Sequence, residues 1–97
     1  MSWASTHIEK LRKGETVSFR PTGQSMTPRI ESGNLVIVSP DVADLRKGDI
    51  VLCKCKGRHF CHLISAIQGE RFQISNNHGH INGWVGRSCI FGKVVQP

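Results

Sequence analysis

From Thr16 to Phe19, apolar Val17 and Phe19 alternate with polar neighbours, a period of two that predicts a half-buried strand. Leu35-Val36-Ile37-Val38 is a continuous apolar run of the length of a fully buried strand, closed by Ser39-Pro40. Lys47-Gly48-Asp49 then turns the chain into Ile50 to Lys56, where Val51, Cys53 and Cys55 face one way and Lys54 and Lys56 the other. After a hairpin turn at Gly57-Arg58, His59 to Ile67 returns with Phe60, His62, Ile64 and Ala66 on one face. A turn at Gln68-Gly69-Glu70 leads to the alternating Phe72-Gln73-Ile74-Ser75. The polar stretch from Asn76 to Gly83 reads as a loop, with Asn82-Gly83 a turn, before a last strand from about Cys89 to Val95. Near the N-terminus, Ile8, Leu11 and Trp3 share one side of a short helix, capped by Thr6-x-x-Glu9 and stopped at Gly14. Asp41 to Arg46 predicts a single helical turn.

About six short strands joined by tight turns point to a mainly β fold. The expected form is a compact antiparallel coiled β-barrel or two-sheet fold with a short N-terminal helix. A chain of 97 residues builds one core, so 1–97 reads as a single domain, with 1–14 helical and 16–96 the β core. A content of 38% hydrophobic and 21% charged residues is that of an ordered globule rather than a disordered chain.

A formal charge of +6 suits an acidic partner, but Arg12-Lys13, Arg46-Lys47 and Lys54/Lys56/Arg58 are dispersed and lack interleaved aromatics. A solvated surface is therefore preferred to nucleic-acid binding. No apolar run approaches the roughly 18 residues of a membrane span, and no secretory signal is visible, so the expectation is a cytoplasmic protein with no membrane contact. Cys53, Cys55, Cys61 and Cys89 lack Cys-x-x-Cys spacing; they read as small buried residues kept reduced, and no metal or cofactor is expected.

The chemistry converges on Gly23-Gln24-Ser25-Met26-Thr27-Pro28-Arg29-Ile30. Gly23 permits a sharp turn and Pro28 blocks further strand pairing, so Ser25 at the bend is displayed rather than buried. The stretch resembles the Gly-x-Ser-Met-x-Pro nucleophile motif of the signal-peptidase and SOS-repressor clan of serine peptidases. The resemblance covers roughly residues 16 to 96 and includes the Gly48-Asp49 strand start and the closing Gly92-Lys93-Val94-Val95. It implies Ser25 as nucleophile, the Ser25 and Met26 amides as oxyanion donors, and Gly23, Gln24 and Pro28 beside the substrate.

A serine needs a base that is neutral at working pH. Cys61-His62-Leu63-Ile64, with His62 placed 37 positions after Ser25, resembles the segment of the clan's histidine branch, which makes His62 the expected base. Lys54 and Lys56 precede the hairpin turn on a solvated face, where nothing lowers a lysine pKa. The histidine branch carries an orienting aspartate after the following strand. Here Asn77 and Asn82 occupy that region, and Asp49 is the remaining acidic candidate, although its turn setting favours a structural role. The leading expectation is a small serine endopeptidase-like protein that cleaves an extended polypeptide with a Ser-His dyad. The alternative is a weakly active or inactive peptidase-fold binding module, of the kind a phage or mobile element encodes, that captures a protein or nucleic-acid partner. Oligomeric state is not legible.

Overall fold

The alternating segments become strands because each can bury one row of side chains while its backbone pairs with a neighbour. The computed structural model describes residues 3–20, 30 and 33–96. Its elements are α1 (Ser5–Arg12), β1 (Val17–Phe19), β2 (Val36–Ser39), β3 (Ile50–Cys55), β4 (Arg58–Gln68), β5 (Arg71–Ser75), β6 (Ile81–Gly86), a short 3-10 turn (Arg87–Cys89) and β7 (Ile90–Gln96). Among the described residues the seven strands form one antiparallel sheet in the order β1-β2-β7-β3-β4-β5-β6. The expected mainly β fold with a short N-terminal helix is therefore what forms. No described helix is long and apolar enough to cross a membrane.

β3 is the axis of the molecule because both of its faces are covered. Ile50 and Leu52 join Ile8 and Leu11 of α1, Val17, Ile30, Val36 and Val38 in a first apolar cluster. Val51, Cys53 and Cys55 join Ile64, Phe72, Ile74, Val85 and Ile90 in a second. A single sheet serves two cores because it coils, bringing β6 back over β3. A Cβ on Gly83 of β6 would stand 3.1 Å from the Cys55 Sγ.

Several local expectations are corrected. α1 starts at Ser5 behind Ala4, with no side-chain cap, so Thr6 and Glu9 lie within the helix rather than forming a capping box. Trp3 precedes the helix and packs its ring 5.5 Å from Phe19. The 35–38 run is half-buried: Leu35 is 44% exposed, whereas Val36 and Val38 are buried. Only one face of β2 meets the core. Residues 41–46 form bends rather than a helical turn, held by the Asp41 N–H on the Ser39 hydroxyl (3.1 Å) and the Ala43 N–H on the Asp41 carboxylate (3.1 Å). Short polar side chains here compete successfully for the backbone. Asn82-Gly83 is part of β6, so the polar loop ends at His80. The hairpin turn is Lys56-Gly57, with φ of 52° and 80°, the left-handed pair that matches strand twist.

Burial silences two of the thiols. Cys53 is wholly inaccessible and burial lifts its thiol far above the ordinary value, while burial pushes Cys61 up to about 12. In the folded protein both are expected to alkylate with iodoacetamide at least ~10-fold more slowly than in guanidinium at about pH 8, because the thiolate is the reactive form. Peptide mapping by mass spectrometry reads this directly.

Candidate active site

His62 lies on β4 opposite Val51 of β3, and strand alternation aims it to the side of Phe60 and Ile64, whose neighbours form the second cluster. It is 8% exposed, and the Phe60 ring stacks on it at 4.7 Å between centroids, with 27° between the planes. A ring so placed is held by packing on its flat side and needs polar partners only at its nitrogens.

The partner at Nδ1 comes from β6. Ile74 of β5 pairs with Gly83 and Ser75 with Ile81, so Asn82 is an extra residue in β6, a bulge. Bulges re-aim side chains, and the Asn82 Oδ1 lies 2.8 Å from His62 Nδ1. An amide oxygen only accepts, so Nδ1 carries the proton and the lone pair is on Nε2. Burial lowers the His62 pKa from its ordinary value; the Asn82 hydrogen bond acts in the raising direction, and the charge of His80 in the lowering one. Burial wins, and the imidazole is neutral near pH 7. A neutral ring with a fixed Nδ1 proton presents a basic Nε2, which is the form a general base requires.

His80 is placed by its loop: the Asn76 side-chain oxygen accepts from the His78 and His80 N–H groups (2.8 and 2.9 Å), and the Asn76 N–H bonds to the His80 carbonyl (2.9 Å). Asn77 sits half-buried in the same loop. Asp49 holds the turn before β3: its carboxylate accepts from the Arg46 N–H at 2.8 Å and lies 3.8 Å from the Lys93 ammonium, while its carbonyl accepts from the Ile64 N–H at 2.8 Å. Lys54 is exposed on β3, and Lys56 is exposed on the turn. Gly23, Gln24, Ser25, Met26 and Pro28 lie outside the described residues. The chain on either side of them is fixed: Phe19 pairs with Val36 across β1 and β2, and the Arg20 guanidinium donates to the Gly33 carbonyl at 2.7 Å. This strap had no signal in the sequence, nor did the bulge that turns Asn82 inward. The Phe60 stack was implicit in its two-residue spacing from His62.

A coiled antiparallel sheet with a buried neutral histidine on β4, in a chain whose Gly-x-Ser-Met-x-Pro stretch precedes β2, has the layout of a small peptidase-fold protein. More particularly, the chain belongs to the Peptidase S24-like family, whose profile matches residues 2–95, and so to the group that includes the SOS repressors and signal peptidases. No curated protein and no solved structure shows significant similarity to it.

Proposed function

We propose that the protein is a serine endopeptidase of the histidine-base type, acting on an extended polypeptide with Ser25 as nucleophile, His62 as base and Asn82 as the residue that positions the base. The observation that carries this reading is the 2.8 Å contact of Asn82 Oδ1 with a buried His62, which leaves the basic nitrogen at Nε2. Family membership and the 37-residue interval from Ser25 support it.

In the mechanism that follows, His62 Nε2 takes the Ser25 hydroxyl proton as the oxygen adds to the scissile carbonyl. Backbone amides at Ser25 and Met26 receive the developing oxyanion. The proton passes from His62 to the leaving amine, and His62 then activates the water that releases the acyl group. Asn82 fixes the tautomer but offers no charge to the imidazolium, so turnover is slower than a carboxylate at this position would allow.

Two substitutions test that role. Asn82→Ala is expected to lower kcat about 10- to 100-fold with KM little changed, because the ring loses its orientation and not its substrate contacts. Asn82→Asp places a carboxylate beside Nδ1, stabilises the imidazolium and raises the His62 pKa. Since the neutral ring is the active form, the wild-type acid limb of kcat/KM lies below about pH 6.5, whereas in Asn82→Asp it moves to higher pH while the plateau rises. A residue of merely structural importance would not move the limb.

A further inference from the structure

On the face of β4 opposite His62, the first cluster opens into a cleft of about 380 Å³ lined by Ser5, Ile8, Glu9 and Arg12 of α1, Lys54 of β3, His59 of β4 and Phe91 of β7. The four α1 residues fall at positions i, i+3, i+4 and i+7, one stripe of the helix. Lys54 and His59 are directly paired across β3 and β4, which puts both side chains on that same wall. Phe91 is there because β7 bulges: Leu52 pairs with Gly92 and Cys53 with Ile90, so Phe91 is the extra residue.

The chemistry of the lining is mixed in a specific way. Phe91 and Ile8 supply an apolar floor, and the Arg12 guanidinium stands 5.5 Å from the Phe91 ring centroid, with the His59 ring tilted against it at 6.3 Å. Neither Arg12 nor Lys54 enters an ion pair: among the described residues these are Arg46–Asp44, Arg87–Glu70 and Lys93–Asp49. Glu9 also lines the cleft and makes no bridge to Arg12, three positions on, so the two cations outnumber the one acid. Arg12, over the Phe91 ring, and Lys54, on the same wall, are two cations without an ion-pair partner among the described residues, and with the aromatic ring they favour an anion attached to a flat apolar body. A volume of this order suits a small ligand rather than a chain of folded protein.

We propose that this cleft is a binding site for a small amphiphilic anion, whose flat apolar part lies on Phe91 and Ile8 and whose carboxylate or phosphate reaches Arg12 and Lys54. The Ser5 hydroxyl adds hydrogen-bonding capacity at its margin, where the His59 ring completes the wall. Because His59 and His62 point to opposite sides of β4, the ligand does not occupy the peptidase site, and its binding is independent of Ser25.

The test is an amide-resolved NMR titration of the full chain with benzoate, phenyl phosphate and the neutral isostere benzamide. Benzoate or phenyl phosphate is expected to shift the Arg12, Lys54, His59 and Phe91 signals saturably, with benzamide at least about 10-fold weaker, the factor that one charge-assisted hydrogen bond supplies. The tighter of the two anions identifies the class of head group. Arg12→Gln and Lys54→Gln, both at exposed positions and so compatible with the native spectrum, are each expected to weaken the anions by about 3- to 10-fold. The proposal is overturned if no saturable shift occurs at these residues up to about 20 mM anion, a range that covers weak fragment binding, if benzamide binds as well as both anions, or if both variants bind like wild type.

Discussion

Replacing His62 with alanine is expected to lower the rate of peptide-bond cleavage at least ~10³-fold, and Ser25→Ala to do the same, because neither member of such a pair works without the other. The double variant should be no worse than either single one, the non-additivity of residues acting as a unit. The measurement is mass spectrometry of new termini after incubation with a proteome-derived peptide library near neutral pH. His62 is buried beside Phe60 at 4.7 Å, so His62→Gln, closer in volume, serves as the variant that preserves packing. Lys54→Gln, at an exposed position on the opposite face, should leave the product profile intact. The same termini at the same rate from wild type and Ser25→Ala would falsify the peptidase reading for those substrates, and would turn attention to a binding module. Loss of cleavage in Lys56→Gln but not in His62→Gln would instead identify a lysine base.

The second large effect is on stability. Gly92→Ala is expected to cost about 3 kcal/mol, at the upper end for overpacking a filled core. A Cβ there would stand 2.5 Å from Val38 Cγ1, 2.8 Å from the Ser39 carbonyl oxygen and 3.1 Å from Leu11 Cδ2. Val38 and Leu11 belong to the first cluster, and the Ser39 carbonyl is part of β2, so relief requires moving a strand or lifting α1 rather than turning one side chain. For a domain of this size that corresponds to a fall in Tm of order 15 °C, or to a lower urea midpoint with an unchanged slope. Gly86→Ala is the control: nothing lies within 4 Å of its Cβ position, and its φ of −83° suits alanine. Equal stability of the two variants would mean that α1 and β2 do not close on β7 at Gly92.

Much of the fold was open to inspection in the chain. Alternation at Val17–Phe19, at Ile50–Cys55 and at Phe72–Ser75 marked strands because a half-buried strand must alternate, whatever it packs against. The helix that stops short of Gly14 was visible for the same reason: Ile8 and Leu11 share one side, and both are buried. The first half of β6, residues 81–83, reads as loop because Asn82-Gly83 has turn chemistry, but propensity at two residues gives way to pairing along the length of β5. Period two names a face but not what covers it: Leu52 shares a side with the exposed Lys54 and is nonetheless buried, because α1, folded back on β7, covers that face.

At the candidate site the same division holds. The chain by itself determined which residue types were at hand: a serine in a Gly-x-Ser-Met-x-Pro stretch, a histidine at the fitting interval and asparagines where a carboxylate was expected. It also placed His62 beside Phe60, since two-residue spacing on a strand puts side chains on one face. Which asparagine meets the ring was decided by tertiary structure alone, through a one-residue bulge in β6 that no local pattern encodes. Burial, a property of the whole coiled sheet, likewise lowers the His62 pKa from its ordinary value and so favours the neutral ring. Tertiary structure also made the cleft under α1, assembled from residues between Ser5 and Phe91 that only the closing of β7 against β3 brings to one wall. Local pattern fixes what a segment is, because its backbone and side-chain period are set by covalent geometry; where two segments meet depends on coil and register, which are set by the packing of all of them together.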